Sequence, residues 1–150
     1  MRLLRFSKIS EKIIPRIVRL NNSVVHELDF RPAKAVLYTA KEVRESKGKW
    51  VLAQEAGELA GFMNYEVYNS GVLSVHDIII AKEFRRKGLG TQLLKVAEKE
   101  AKNNRCAKVY LYTNPTWKNS KFYEKNGYVQ EARLKKHFYG DDMLAYAKFV

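Results

Sequence analysis

Residues Ile78-Ile79-Ile80-Ala81-Lys82-Glu83-Phe84-Arg85-Arg86-Lys87-Gly88-Leu89-Gly90-Thr91 run from an apolar stretch into a basic turn punctuated by two glycines. After the turn Leu93, Ala97 and Ala101 follow Leu89 at a spacing of four, with Leu94 beside them, so the turn opens an amphipathic helix buried along one stripe. The first amides of such a helix have no intrahelical partner, and the helix dipole favours negative charge beside them. Glycine lets a phosphate approach the backbone without meeting a Cβ. The chemistry on offer is therefore anion binding. Two familiar phosphate motifs are excluded by spacing: the dinucleotide fingerprint needs a third glycine where Leu93 stands, and the P-loop needs Gly-Lys-Ser/Thr where Gly88-Leu89-Gly90 stands.

A second group of chemically able residues lies in Tyr110 to Tyr128. Asn114 reads as an N-cap, Pro115 as the first helical residue and Gly127 as the stop, which predicts a helix of about three turns. Asn119 and Tyr123, four apart, would share one face of it. On its own Tyr123 also reads as a core aromatic with a solvent-linked hydroxyl.

In the strand that leads into the glycine turn, Ser74, His76, Ile78 and Ile80 share one face, and Val75, Asp77 and Ile79 the other. Its end is apolar on both sides, as a central strand's should be. His76 stands where the apolar run begins. It reads either as a histidine bonded at a strand's edge or as a proton carrier tuned near neutrality.

These groups must be positioned by a chain of 150 residues with 46% hydrophobic content, enough for one self-sufficient domain over 1–150. Leu3 to Phe6 reads as a strand and Ser10 precedes a helix carrying Ile13, Ile14, Ile17, Val18 and Leu20, with Pro15 near its start. Ala33 to Ser46 reads as a second amphipathic helix. Trp50 to Gln54 and Leu59 to Tyr68 form a hairpin about Ala56-Gly57-Glu58, and Asn69-Ser70-Gly71 turns the chain into Val72 to Ala81. After the glycine-turn helix come strands at Lys108 to Thr113, near Tyr128 to Arg133 and at Met143 to Val150.

The single cysteine, Cys106, allows no intrachain disulfide and reads as a small buried residue opening a strand. With no signal-like or membrane-spanning apolar run, a soluble cytoplasmic protein is expected, with no membrane partner. Net charge is +12 at pH 7, scattered along the chain with no block of five or six like charges. Such a balance attracts polyanions or simply solvates the surface. No helix-turn-helix, zinc or RNA-reading motif is present, so nucleic acid is not expected as a partner.

Arg85-x-x-Gly88-x-Gly90 after an Ile-x-Ile strand resembles the pyrophosphate-binding signature of the GNAT superfamily of N-acetyltransferases, which bind acetyl-coenzyme A. Phe122-Tyr123-Glu124-Lys125-Asn126-Gly127-Tyr128 resembles that family's second motif, Tyr-x-x-x-Gly-(Phe or Tyr), in the right order and at the right distance. Asn119 stands where the family often has Ala, and Thr116 where it often has Asn.

The resemblance implies an α+β fold, with a mixed, mostly antiparallel sheet of about seven strands, splayed at its middle and flanked by helices. It implies that main-chain groups of Ile78 and Ile80 pair with the pantetheine arm, the Ile80 amide polarising the thioester. Amides from Arg85 through Arg86, Lys87, Gly88, Leu89 and Gly90 to Thr91 would hold the pyrophosphate, with the Arg85, Arg86 and Lys87 side chains adding charge. Asn119 would lie near the pantetheine. Tyr123 would protonate the departing thiolate and His76 would act as base, with Glu66 or Asp77 as alternatives. No metal is implied, and a homodimer is compatible.

The acceptor would be a primary amine chosen by the N-terminal helices and by the connection between the last two strands. There Arg31, Lys34, Tyr38, Arg44, Lys135, Lys136, His137, Phe138 and Tyr139 make a basic, aromatic rim suited to a protein N-terminus or other acidic peptide amine. A polyamine, aminoglycoside or amino acid acceptor would need a local acidic pocket, for which Glu27, Asp29 and Glu66 are candidates. A noncatalytic coenzyme A-binding module is the alternative from another class.

Overall fold

In the computed structural model, which describes the backbone of residues 1–150 and every side chain except that of Ala35, the chain divides into two compact units. One comprises Met1–Glu66 and Asp77–Leu93, the other Val67–His76 and Leu94–Val150. Seven strands, β1 (Arg2–Phe6), β2 (Lys49–Glu55), β3 (Glu58–Tyr68), β4 (Val72–Ile80), β5 (Lys108–Thr113), β6 (Val129–Phe138) and β7 (Asp141–Phe149), hydrogen-bond in the order β1-β2-β3-β4-β5-β7-β6, in a mixed, mostly antiparallel sheet with flanking helices. No helix among the described residues is long and apolar enough to cross a membrane.

In the first unit β1 (Arg2–Phe6) pairs antiparallel with β2 (Lys49–Glu55), and β2 with β3 (Glu58–Tyr68). The β2–β3 turn places Ala56 and Gly57 at φ 49° and 80°, the doubly positive geometry whose twist matches a two-residue hairpin. Helix α1 (Ile14–Glu27) starts with Pro15 in its first turn, where a missing N–H costs nothing. Its Ile14, Ile17 and Val24 join Val43, Trp50, Leu52, Phe62 and Ile79 in one buried cluster.

The expected helix over Ala33 to Ser46 is instead two short ones, α2 (Ala33–Val36) and α3 (Ala40–Glu45). The break has a local cause. Thr39 caps α3 through the Glu42 amide while the Glu42 carboxylate takes the Thr39 N–H, a reciprocal box that starts a helix at Ala40. Asn21 and Asn22 of α1 then satisfy the backbone exposed by the break. Asn21 Nδ2 donates to the Val36 carbonyl (2.9 Å), and Asn22 both accepts from the Tyr38 N–H (2.8 Å) and donates to its carbonyl (3.1 Å).

Strand β4 (Val72–Ile80) is fourth of the seven, as a central strand should be. It pairs parallel with β5 (Lys108–Thr113) only from Val72↔Lys108 to Ser74↔Tyr110, although β4 runs on to Ile80 and β5 to Thr113. In the second unit β5 pairs antiparallel with β7 (Asp141–Phe149), and β7 with β6 (Val129–Phe138). Helix α4 (Leu89–Asn103) buries Leu93, Leu94, Ala97 and Ala101 completely, the stripe expected from their spacing. Cys106 is buried just before β5.

Gly61 on β3 marks the closest approach to the end of β4: a Cβ there would lie 2.7 Å from the Ile79 carbonyl oxygen, a backbone atom that cannot swing aside. Gly61→Ala should therefore destabilise the protein by about 1–3 kcal/mol. Urea unfolding checks this, and an unchanged midpoint would show that the strands can separate without cost.

Candidate active site

The Ile79 carbonyl approaches Gly61, and the Ala81 N–H donates to the Ala60 carbonyl (2.9 Å), so these odd-numbered residues direct their main-chain groups toward β3. Strand alternation turns those of Ile78 and Ile80 to the opposite edge. The chain then makes a 3-10 turn over Lys82–Phe84, closed by Phe84 N–H to Ala81 O (2.9 Å) and Arg85 N–H to Lys82 O (3.3 Å). Arg86 follows at φ 59° and Gly88 at φ 81°. For Gly88 that left-handed conformation is unstrained, which explains a glycine at this point.

The first i→i−4 bond of α4 runs from Gln92 N–H to Gly88 O (3.0 Å). The amides of Leu89, Gly90 and Thr91 therefore precede the helical ladder, and they occupy the positive end of its dipole. The turn thus presents amides outside the helical ladder, while the Arg85 amide is already engaged in the 3-10 turn.

The Arg85 side chain is paired within the protein. Its Nη1 and Nη2 grip Glu27 at 2.5 and 3.0 Å, and its Nε donates to the Ile80 carbonyl at 3.1 Å. A planar fork fits a carboxylate at two points, so the pair is preferred geometrically as well as electrostatically. Lys87 places its Nζ 5.5 Å from the centre of the Phe84 ring, and Arg86 is exposed.

Glu27 and Asp29, candidates for a cation-binding acidic pocket, are each matched by an arginine, Arg85 and Arg31. The Arg85 hydrogen bond is the largest influence on Glu27 and holds its carboxyl below the usual value.

His76 is exposed on β4. Asp77, next in the strand, accepts a hydrogen bond from the Tyr38 hydroxyl. Tyr38 lies against Phe62 and edge-on to Trp50, at ring separations of 6.0 and 6.4 Å, so both its ring and its backbone are fixed. Burial above all, then the Asp77 charge, push the Tyr38 hydroxyl well above its ordinary pKa of 10.0. It is a donor to Asp77 at neutral pH, not a base. The sequence does not show that Asp77 meets Tyr38, which lies on a remote loop whose course only the Asn22 clamp and the Thr39 box define.

In the second unit the single predicted helix divides into a 3-10 turn, Pro115–Trp117, and α5 (Ser120–Lys125). Lys118 between them is left-handed at φ 56°. Asn114 caps the first piece by accepting from the Thr116 amide (2.9 Å), and its Nδ2 reaches Asp141 (3.0 Å). Asn119 is the N-cap residue of α5 and accepts from the Thr113 hydroxyl (2.5 Å), so it does not share a helical face with Tyr123. These two side-chain anchors hold the chain on either side of Lys118 and compensate for its backbone strain.

Tyr123 is 9% exposed, with the rings of Phe122, Tyr146 and Tyr128 at 5.1, 6.0 and 6.3 Å. Gly127 ends α5 as expected. Its N–H bonds Glu124 O and the Tyr128 N–H bonds Tyr123 O, the paired closure of a left-handed C-terminal cap.

The expected connection over Arg133 to Met143 is mostly strand. The β6–β7 ladder reaches Phe138↔Asp141 about a bulge between Leu134 and Phe138, and only Tyr139 and Gly140 turn. Asp142 holds the bulge by accepting from the Lys136 N–H (3.0 Å) and from Arg133 Nε (2.8 Å). Exposed His137 stacks at 6.1 Å on Tyr112, which meets Tyr110 edge-on at 5.7 Å.

A family model described as the acetyltransferase (GNAT) family matches residues 16–128. The chain belongs to that family. As a GNAT acetyltransferase it is an N-acyltransferase. No curated protein matches it significantly.

Among solved structures it resembles the acetyltransferase of GNAT family from Streptococcus pneumoniae at 23% identity, covering 99% of each chain with a TM-score of 0.76. It also resembles an aminoglycoside 6'-N-acetyltransferase complexed with coenzyme A at 19% identity, over 99% of this chain and 97% of that one, TM-score 0.78. Ard1 from Thermoplasma volcanium matches at 18% identity over 99% and 97%, TM-score 0.73. At these identities the likeness is one of fold.

The Tyr38 hydroxyl, and that of Tyr128, which burial and Glu98 also raise, keep their protons more firmly when folded than when unfolded. The unfolded chain therefore loses protons first as pH climbs past about 10, and the stability present below that pH declines above it. Tyr38→Phe should flatten this alkaline decline. Urea midpoints followed upward from about pH 8 test it, and identical slopes in variant and parent would contradict the assignment.

Proposed function

We propose that the protein transfers an acetyl group from acetyl-coenzyme A to a primary amine by direct attack in a ternary complex. The observation that carries the reading is the turn after β4, where amides outside the helical ladder and a left-handed glycine offer a backbone cradle for a pyrophosphate in a chain of this family. The amides of Leu89, Gly90 and Thr91, with those of Arg86 to Gly88, hold the pyrophosphate, and Arg86 and Lys87 supply the free charge.

Main-chain groups of Ile78 and Ile80 pair with the pantetheine arm, and the Ile80 amide stabilises the oxyanion that builds as the amine attacks the thioester carbon. Tyr123 gives its proton to the leaving thiolate, and the amide of Asn119 steadies the arm. The amine loses its proton to His76, directly or through water. An α-amino group, with pKa near about 8, needs less of this help than a lysine near about 10.4. Asp77, oriented by Tyr38, is the second candidate for that role.

For the acceptor we favour a protein N-terminus or other peptide amine bearing acidic residues. Support comes from the net charge of +12 and from the row of Tyr110, Tyr112 and His137, the last two exposed, with Lys135 and Lys136 preceding His137 in the chain. A polycationic small molecule has the names of several structural neighbours in its favour. Against it stands the pairing of Glu27 and Asp29 with arginines, which leaves those carboxylates neutralised.

Release of free thiol from acetyl-coenzyme A over a panel of acidic peptides, polyamines, aminoglycosides and amino acids tests the reading. Amine-dependent release is expected, and its absence with every amine would favour a noncatalytic coenzyme A-binding module. In the active pairing Tyr123→Phe should lower kcat by about a hundredfold while coenzyme A affinity stays within about twofold, since only the transition state requires the proton. Unchanged kcat where chemistry limits the rate would return Tyr123 to a packing role.

A further inference from the structure

We propose that Glu27, the last residue of α1, is a positioning residue for acetyl-coenzyme A binding, acting through Arg85 on the stem of the phosphate turn. The proposal rests on the reading of that turn as the pyrophosphate site.

Glu27 is in an unfavourable place for its own helix. A carboxylate at a helix C-terminus faces the negative end of the dipole, so α1 gains nothing from it. What it gains is Arg85, 2.5 and 3.0 Å from its two oxygens, with both side chains about a third exposed or less (26% and 31%). With its two terminal nitrogens on Glu27, the guanidinium has its Nε directed at the Ile80 carbonyl.

The consequence is a closed stem. Arg85 bonds backward through its amide to Lys82 O, closing the 3-10 turn, and through its side chain to Ile80 O, tying the far end of that turn to the end of β4. Arg86 and Gly88, the left-handed residues that aim the following amides, start from this fixed point. Ordering them before the ligand arrives removes an entropic cost from binding. Because Arg85 is neutralised by Glu27, the free side-chain charge at the turn comes from Arg86 and Lys87. An arginine that the motif alone would assign to the phosphate is here a structural clasp, and Glu27 decides which of the two it is.

Calorimetric titration with coenzyme A, the probe throughout, separates the roles. Glu27→Gln keeps the shape and removes the charge that holds the fork; it should weaken binding by about tenfold, with an unchanged dependence on salt. Arg85→Lys retains a cation but cannot span Glu27 and Ile80 together, and should weaken binding to a similar degree. Arg86→Gln should instead flatten the salt dependence, as loss of a direct phosphate charge does. Melting of each variant without ligand identifies any that fails to fold, and two independent variants keep the test open.

Coenzyme A binding to Glu27→Gln as tight as or tighter than to the parent, with a steeper salt dependence, would show a released Arg85 acting as a phosphate ligand and would overturn the proposal. Parent-like affinity in Arg85→Lys would overturn it too. Failure of the parent protein to bind coenzyme A would remove the pyrophosphate reading itself, and this inference with it.

Discussion

Three backbone amides that their own helix cannot satisfy, those of Leu89, Gly90 and Thr91, are what the proposed chemistry depends on. They precede the first helical bond, from Gln92 to Gly88, and they follow a left-handed glycine that keeps side-chain bulk away from them. An orphan N–H demands a partner, water or ligand, and at the positive end of a fifteen-residue helix the favoured ligand is an anion. Upstream, the β4–β5 ladder ends at Ser74↔Tyr110. The alternation that commits Ile79 and Ala81 to β3 turns the main-chain groups of Ile78 and Ile80 away from it.

Charge in this protein is more local than its net value suggests. Against an excess of twelve positive charges, Glu11, Glu27, Asp29, Glu98, Glu131 and Asp142 each sit in an ion pair with an arginine or lysine. Exposed pairs of this kind add little stability. Their effect on recognition is larger, since a carboxylate already matched is a poor site for a cationic acceptor. The Asp77 carboxylate also receives a neutral donor, the Tyr38 hydroxyl, which orients it.

Much of this was legible in the sequence where one local rule governed. The stripe Leu93, Leu94, Ala97 and Ala101, the Ala56-Gly57 hairpin, Pro15 at a helix start and Gly127 at a helix end each follow from periodicity or turn chemistry, and the two motifs identified the family. The helix expected over Ala33 to Ser46 failed because an amphipathic period cannot show that Asn21 and Asn22 will satisfy a broken backbone; the Thr39-x-x-Glu42 box was the readable sign. The helix expected from Asn114 failed because a lysine in the left-handed region is held there by Thr113 and Asp141, partners that only the fold supplies. The pairing of Arg85 with Glu27 was hidden for the same reason: nothing near Arg85 in sequence announces Glu27.

The backbone amide spectrum of isotopically labelled protein titrated with coenzyme A tests the phosphate turn most directly. The largest shifts should fall on the amides of Gly88, Leu89, Gly90 and Thr91, accompanied by those of Ile78 and Ile80. Coenzyme A that binds while leaving these six resonances in place would contradict the pyrophosphate reading.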